Sequence, residues 1–425
     1  MSNQFSLLKT RRFLPLFLTQ YLGAFNDNIF KYVLVILITY ATAAELGSDP
    51  ALLVTAAAGI FILPFFLFSA LAGQLADKYS KPRLIRILKM TEFMLMALAA
   101  FGFYWGNIYF LMFVLFLMGT QSSFFGPVKY SIIPELVSKD NLIGANGLVE
   151  AATFVAILLG TIIGGIFILK GGGVYIIFAC VMAVAALGWI SSRFIPDSSM
   201  QRPYLKITRN PIAETWRLIA QVRPNREIFR TILGISWFWT VGFVFLTHLP
   251  IYGKEILGAN EDVVTLLLTF FSIGIGVGSL LCNKILKSKI NTKTVPWGAL
   301  GMGIAVLLFA VISPQPYAFD MTWGLESFWS DWQNIALLGT LALAAGFGGL
   351  YVVPLYTVLQ TKSEAAFRSR TIAANNIMNA LFMVAASLVS ILLLKILPGV
   401  ISLFSVVGIG NIMVAVLFWQ GRKRR

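Results

Sequence analysis

Gly73-Gln74-Leu75-Ala76-Asp77-Lys78-Tyr79-Ser80-Lys81-Pro82-Arg83 joins one long apolar run, 51-76, to another, 84-103. Each run has the roughly 20 residues that a helix needs to cross a bilayer. The stretch therefore reads as a short basic turn between two membrane spans. A glycine at the end of the first span lets a second helix come close. The aspartate one turn later, near the membrane surface, can accept hydrogen bonds from a neighbouring helix end and from arginines. Gly73, Asp77, Lys78, Lys81 and Arg83 are accordingly the candidate parts of a conformational latch.

Working outward, similar apolar windows fall at 13-40, 51-76, 84-103, 108-131, 141-168, 172-195, 230-252, 262-287, 295-314, 334-359, 370-394 and 397-420. The chain is thus expected to be an all-α polytopic membrane protein of about 12 transmembrane helices. Composition agrees: 58% of the 425 residues are hydrophobic, 12% are charged, and the mean hydropathy is +0.81, whereas soluble domains carry about 25% charged residues. A net charge of +15 would suggest nucleic acid in a soluble protein. Here the cations sit in alternate loops.

Lys9, Arg11 and Arg12 lead, followed by the group around Lys78 to Lys89, then Arg202, Lys206, Arg209, Arg217, Arg223, Arg226 and Arg230. Lys284, Lys287, Lys289, Lys293, Lys362, Arg368, Arg370 and the final Arg422, Lys423, Arg424 and Arg425 fall on the same side. The other side carries Glu45, Asp49, Glu261, Asp262, Asp320, Glu326 and Asp331, with scattered Lys170, Lys254 and Lys395. The positive-inside rule then places both termini and the central segment in the cytoplasm. The basic start followed by an apolar run is not read as a cleaved signal, because that run is too long and contains Asn26, Asp27, Asn28 and Lys31.

The long polar stretch near the middle divides the chain into a six-helix bundle, 1-195, a cytoplasmic basic linker, 196-229, and a second six-helix bundle, 230-425. A weak internal repeat supports the division. Gly126-Pro127-Val128-Lys129-Tyr130-Ser131 is echoed by Val353-Pro354-Leu355-Tyr356-Thr357, and Ala145-Asn146 by Ala374-Asn375. Parallel repeats of this kind place a substrate cavity between the halves at mid-membrane.

No zinc pattern, phosphate loop or nucleophile elbow is present, and the single histidine excludes a histidine-rich site. An enzyme is not expected, and Cys180 and Cys282 read as small apolar residues. Gly274-Ile275-Gly276-Val277-Gly278 resembles a dinucleotide turn, but it lies inside an apolar run and reads as a helix-packing surface. Intramembrane charge is more informative, because its cost is usually retained for function. Asp27 stands about 22 Å along a helix from Arg12, near the centre of a core about 30 Å thick. Its alternative reading is a pair with Lys31 one turn away. Asn28, Lys129, Glu150, His248, and Asn375 with Asn379 at i, i+4 complete the candidate binding or coupling residues. Lys129 read as a surface residue would instead satisfy Glu135, Glu92 would snorkel to the cytoplasm, and His248 would be a packing residue.

The stretch from Gly73 to Arg83 closely resembles the cytoplasmic signature of the major facilitator superfamily, with Ser80 where that signature has glycine and Pro82 interrupting its final basic pair. Phe25-Asn26-Asp27-Asn28, Phe125-Gly126-Pro127-Val128-Lys129-Tyr130-Ser131-Ile132-Ile133-Pro134-Glu135-Leu136, Ala145-Asn146-Gly147-Leu148-Val149-Glu150-Ala151, and Gly348-Gly349-Leu350-Tyr351-Val352-Val353-Pro354-Leu355 resemble its bacterial lysophospholipid transporter branch. That resemblance implies the major facilitator fold. It also implies flipping of lysophosphatidylethanolamine and lysophosphatidylglycerol from the outer to the inner leaflet of the bacterial cytoplasmic membrane by alternating access. It carries Asp27, Lys129 and Glu150 as the polar residues of the path. It further implies a monomer, with membrane lipids and a lysophospholipid as partners and a functional link to an acyltransferase. From the residues themselves no nucleic acid and no cofactor are expected, and Asp27, flanked by the oxygen donors Asn26 and Asn28, is a candidate site for Na+ or H+ coupling. The family's arginine in the seventh helix is replaced by His248, which leaves headgroup recognition open. Competing readings are an ion-coupled transporter of another amphiphile or small solute, and a membrane scaffold for an acyltransferase.

Overall fold

A chain segment surrounded by lipid must satisfy its backbone polar groups internally, so apolar runs of this length are stable as helices. The computed structural model describes residues 4–41, 50–168, 170–197, 205–208, 210–314, 324–397 and 399–423. Glu45, Asp49, Arg202, Arg209, Asp320, Arg424 and Arg425, which entered the loop-charge argument, lie outside those residues. The long helices are α1 (Leu14–Ile36), α2 (Pro50–Lys78), α3 (Lys81–Trp105), α4 (Ile108–Leu136), α5 (Leu142–Ile168) and α6 (Gly173–Arg193). The second set is α7 (Arg226–Glu255), α8 (Glu261–Leu286), α9 (Thr294–Ile312), α10 (Trp332–Lys362), α11 (Arg368–Ile396) and α12 (Gly399–Lys423).

Local chemistry sets several of the ends. The side chains of Asn107, Asn225 and Asn260 accept from the backbone N–H groups of Phe110, Ile228 and Val263 at the starts of α4, α7 and α8, supplying partners to orphan donors. Gly106, at φ 69°, ends α3 in the left-handed conformation that favours glycine. Several expected boundaries move by a few residues, two of them at prolines. α3 begins at Lys81 rather than at 84, because Pro82 in a first turn is compatible with a helix. α4 runs on through Pro134 to Leu136 rather than ending at 131.

Among the described residues, 11 helices are long and apolar enough to cross a membrane. The twelfth long helix, α3, has 25 residues but carries Lys81, Arg83, Arg86, Lys89 and Glu92, and it packs between α4 and α6. Its charge load has a use described below.

The packing repeats with an offset of six helices. In the first half α1 packs on α5, α2 on α4, and α3 on α4 and α6; in the second, α7 packs on α11, α8 on α10, and α9 on α10 and α12. The halves meet along α2–α11 and α5–α8, which the same offset interchanges. Gly278 packs directly on the Gly346 backbone of α10, in keeping with a helix-packing role for the glycine run. Within 196–229 lies a helix the sequence reading missed, Pro211–Val222, started by Asn210 accepting from Ala213 N–H. It lies against α2 and α11, with the Thr215 hydroxyl donating to the Phe66 carbonyl.

Candidate functional site

The ends of α2, α4, α6 and α10 and the starts of α3, α7 and α11 share one face, joined by Lys81–Glu135, Arg370–Asp77 and Lys362–Glu227 contacts. This is the basic face of the loop pattern. Between the halves, a cavity of about 530 Å³ extends from mid-helix toward the opposite, acidic face, within the 300–1,000 Å³ range of small-molecule sites.

Its floor is built where the two echoed sequence segments meet. Tyr130 of α4 and Tyr356 of α10 stack with centroids 4.3 Å apart at 6°. The Trp239 indole of α7 donates to the Tyr356 hydroxyl at 2.9 Å. Below them, Asn146 Nδ2 donates to Gln360 Oε1 at 2.7 Å, and Gln360 Nε2 donates to the Tyr130 carbonyl at 3.1 Å. Helices α4, α5 and α10 are thereby bound together on the basic side. Nearer the face, Asp77 Oδ1 accepts from Ser369 N–H at 3.1 Å and Oδ2 from Arg370 Nε at 2.9 Å. A carboxylate at the start of α11 is favoured by the exposed N–H groups there. A Cβ on Gly73 would lie 2.8 Å from Ala373 Cβ and 2.9 Å from Arg370 Cα, so only glycine lets α2 and α11 approach this closely.

Of the latch residues expected from the sequence, the structure thus brings Gly73 and Asp77 to the seam between halves. Lys81 is buried and pairs at 2.6 Å with Glu135 inside the first half. Lys78 lies over its neighbour Tyr79 and Arg83 is exposed; neither joins the seam.

The walls carry the charge. Asp27 lines the cavity and accepts from the Ser122 hydroxyl of α4 at 2.8 Å. Among the described residues no salt bridge joins it to Lys31, although the two charges remain near enough to attract each other; Lys31 places its ammonium 4.5 Å from the Phe61 ring centroid of α2, an attraction between cation and ring face. Lys129 also lines the cavity, over the Tyr130 ring at 4.5 Å. The surface alternative for Lys129 fails, because Glu135 is taken by Lys81. Asn28 lines the wall but gives its amide to the Ala24 carbonyl of its own helix at 2.6 Å.

Glu92 does not snorkel. It is 3% exposed and accepts from Lys89 Nζ at 2.5 Å, Asn26 Nδ2 at 3.4 Å and Gln121 Nε2 at 3.4 Å. A lysine and a carboxylate one turn apart on α3 would be costly facing lipid, so α3 turns them inward, where α1 and α4 supply amides. Glu150 is fully buried behind the floor, accepting from the Tyr130 hydroxyl at 2.7 Å. It holds Tyr130 rather than lining the cavity.

On the second half, Asn379 lines the cavity and accepts from the Ser236 hydroxyl at 2.8 Å. Asn375 is fully buried off the cavity, and Asn376, which the sequence reading passed over, lines it instead. An i, i+3 spacing from Asn376 to Asn379 was the available signal. His248 gives its Nδ1 to a hydrogen bond with the Val244 carbonyl at 2.9 Å, and α7 presents Trp239, Phe243 and Thr247 to the cavity. The cations lining it, Lys31, Lys89 and Lys129, all come from the first half.

Comparison with known proteins places this geometry. The sequence pattern of the Major Facilitator Superfamily matches residues 16–385. The chain belongs to the Major Facilitator Superfamily. Within the superfamily it is 27% identical over 420 residues to a protein named lysophospholipid transporter LplT from Citrobacter koseri, covering 95% of this chain and 94% of that one. A protein of the same name from Photorhabdus laumondii is 27% identical over 355 residues, covering 83% and 81%. Among solved structures, the fucose:proton symporter FucP of E. coli matches with a TM-score of 0.71 at 13% identity, over 96% of this chain and 98% of that one. A bacterial homologue of the iron transporter ferroportin, described in an outward-facing state, matches with a TM-score of 0.70 at 14% identity, over 97% and 99%. The protein is a multi-span membrane transporter of this superfamily fold.

Proposed function

We propose that the protein carries lysophospholipids, lysophosphatidylethanolamine and lysophosphatidylglycerol, from the outer to the inner leaflet of the bacterial cytoplasmic membrane. The observation that carries the reading is the pairing of an apolar wall with two cavity lysines that, among the described residues, form no salt bridge with a carboxylate. With Lys89 held by Glu92, Lys31 and Lys129 remain to meet a phosphate, and Asp27 to meet an ethanolamine ammonium. A sugar site needs neither the cations nor the apolar wall. The lysines of α1 and α4 take over the cationic role that the resemblance assigns to an arginine in the seventh helix. The relatives named lysophospholipid transporters support the same substrate class.

In this reading the basic face is cytoplasmic, and transport proceeds by rocking of the two halves about the cavity. Contacts such as Asp77–Arg370 break as the basic side opens. Asp27 is the proposed point of coupling to Na+ or H+, since a cavity-facing carboxylate held by one hydroxyl can exchange a cation as the halves move. In this reading acyl transfer to the delivered lipid belongs to a separate enzyme. The test is purified protein in liposomes offered fluorescent lysophosphatidylethanolamine beside an unrelated cationic drug and a hexose. Protein-dependent protection of the lysolipid from albumin extraction, without uptake of the others, is expected. Uptake of drug or sugar in place of lysolipid overturns the proposal.

A further inference from the structure

The cavity is polarised along the membrane normal. α1 runs from the basic toward the acidic face and lines it with Gln20, Asp27 and Lys31 first and Leu34 and Val35 last. α4 runs the other way and gives Leu115 on the acidic side, then Gln121 and Ser122, then Lys129 and Tyr130. α2 contributes an apolar wall throughout, from Val54 through Ala57, Ala58, Phe61 and Ile62 to Phe65. Since α1 packs on α5 and α6 while α2 packs on α4 and α11, α1 and α2 face each other across a crevice inside the first half, bridged where Lys31 lies over Phe61 and apolar beyond that point toward the acidic face. From Phe61 outward to Val54 the apolar wall beyond that bridge is about 10 Å long at 1.5 Å per residue.

We infer that this crevice between α1, α2 and α4 holds the single acyl chain of the substrate, tail toward the acidic face, with Ala58 and Val54 setting the chain length accepted. The inference rests on the lysophospholipid reading above. It has a mechanistic consequence. A lipid in the outer leaflet has its headgroup outermost, whereas one bound here has its headgroup at the polar floor and its tail pointing outward. That is already the inner-leaflet orientation. The inversion therefore takes place as the lipid enters the cavity, and rocking of the halves only releases a molecule that has been turned. The apolar crevice lets the tail turn without meeting water, and the lysines draw the headgroup past it.

Ala58 is exposed within the described structure and lines the crevice, so a larger side chain there shortens the space without displacing backbone. The experiment measures flipping of dodecanoyl, tetradecanoyl, hexadecanoyl and octadecanoyl lysophosphatidylethanolamine in proteoliposomes by wild type, Ala58→Leu, Ala58→Phe and Leu63→Phe. Leu63 is exposed on α2 and does not line the cavity, so its variant serves as the control. The expected result is a graded loss of the longest chains, about tenfold for Ala58→Phe on octadecanoyl substrate, the cost of two or so methylenes left unburied. Retained dodecanoyl flipping in the same variant shows that it folds. Equal slowing at every chain length, or no change at the longest, overturns the inference. Failure of wild type to flip any member of the series overturns the lysophospholipid reading instead.

Discussion

Lys89 and Glu92 show what a charge pair costs inside a membrane protein and how it is held. Both side chains are almost fully buried, and removing one partner strands the other. Glu92→Gln is expected to lower stability by roughly 3–5 kcal/mol, while replacing both residues by leucine or methionine recovers most of it. Thermal unfolding in detergent checks this, and a double variant no more stable than the single one contradicts it. Asp27 has a different task. Asp27→Asn keeps the shape and the Ser122 contact but removes the charge, so flipping is expected to lose its dependence on sodium or pH. A well-folded Asp27→Asn protein that flips lysolipid with unchanged ion dependence rules out coupling there. Asp27 and Lys129 were legible in the sequence because an intramembrane charge is conspicuous against an apolar run. Glu92 stayed open between snorkelling and burial because depth along a helix gives no azimuth: at its level a side chain can face lipid, a neighbour or the cavity. The same ambiguity moved the asparagine pair, with Asn376 rather than Asn375 reaching the cavity. His248 was conspicuous only by being unique, and its ring satisfies its own helix.

At the level of elements, the seam between α2 and α11 depends on a carboxylate capping a helix start and a glycine beside it. Each charge-assisted bond of Asp77 is worth roughly 1.5–3 kcal/mol, so Asp77→Asn is expected to shift the balance toward an open basic face by about tenfold or more. Spin labels at the exposed positions Tyr79 and Ala365 report it as a longer and broader distance distribution. An unchanged distribution means that Asp77 does not hold the seam. Gly73→Leu is expected to disrupt the same seam and to abolish flipping in the liposome assay; full activity of that variant would deny the close approach. The motif revealed this contact because glycine and aspartate have few other uses at the end of an apolar helix. It did not reveal which basic residues take part, since Lys78, Lys81 and Arg83 differ only in azimuth. The Pro211–Val222 helix escaped notice because its 12 residues are too few to cross a bilayer and it lies within the basic central segment. Its capping Asn210 and its alternation of buried Thr215, Leu218 and Val222 with exposed Trp216 and Arg217 were the signals to read.

For the whole molecule, the sixfold offset in helix packing makes two similar halves, yet the cavity they enclose is not symmetric. The first half supplies Asp27, Lys31, Lys89, Glu92 and Lys129, and the second supplies Trp239, Tyr356, Asn376 and Asn379. The helix number and the place of the cavity followed from apolar length and the repeat, both properties of the chain alone. Its polar and apolar ends did not, because they depend on how far α1 and α2 stand apart. The central claim is that a lysophospholipid crosses with its phosphate against Lys129. The most direct test is the initial rate of lysophosphatidylethanolamine flipping by Lys129→Ala in proteoliposomes, at matched protein incorporation. Loss of one charge-assisted contact worth roughly 1.5–3 kcal/mol predicts a fall of about tenfold to a hundredfold in a protein that still folds and inserts. A wild-type rate from that variant would contradict the account.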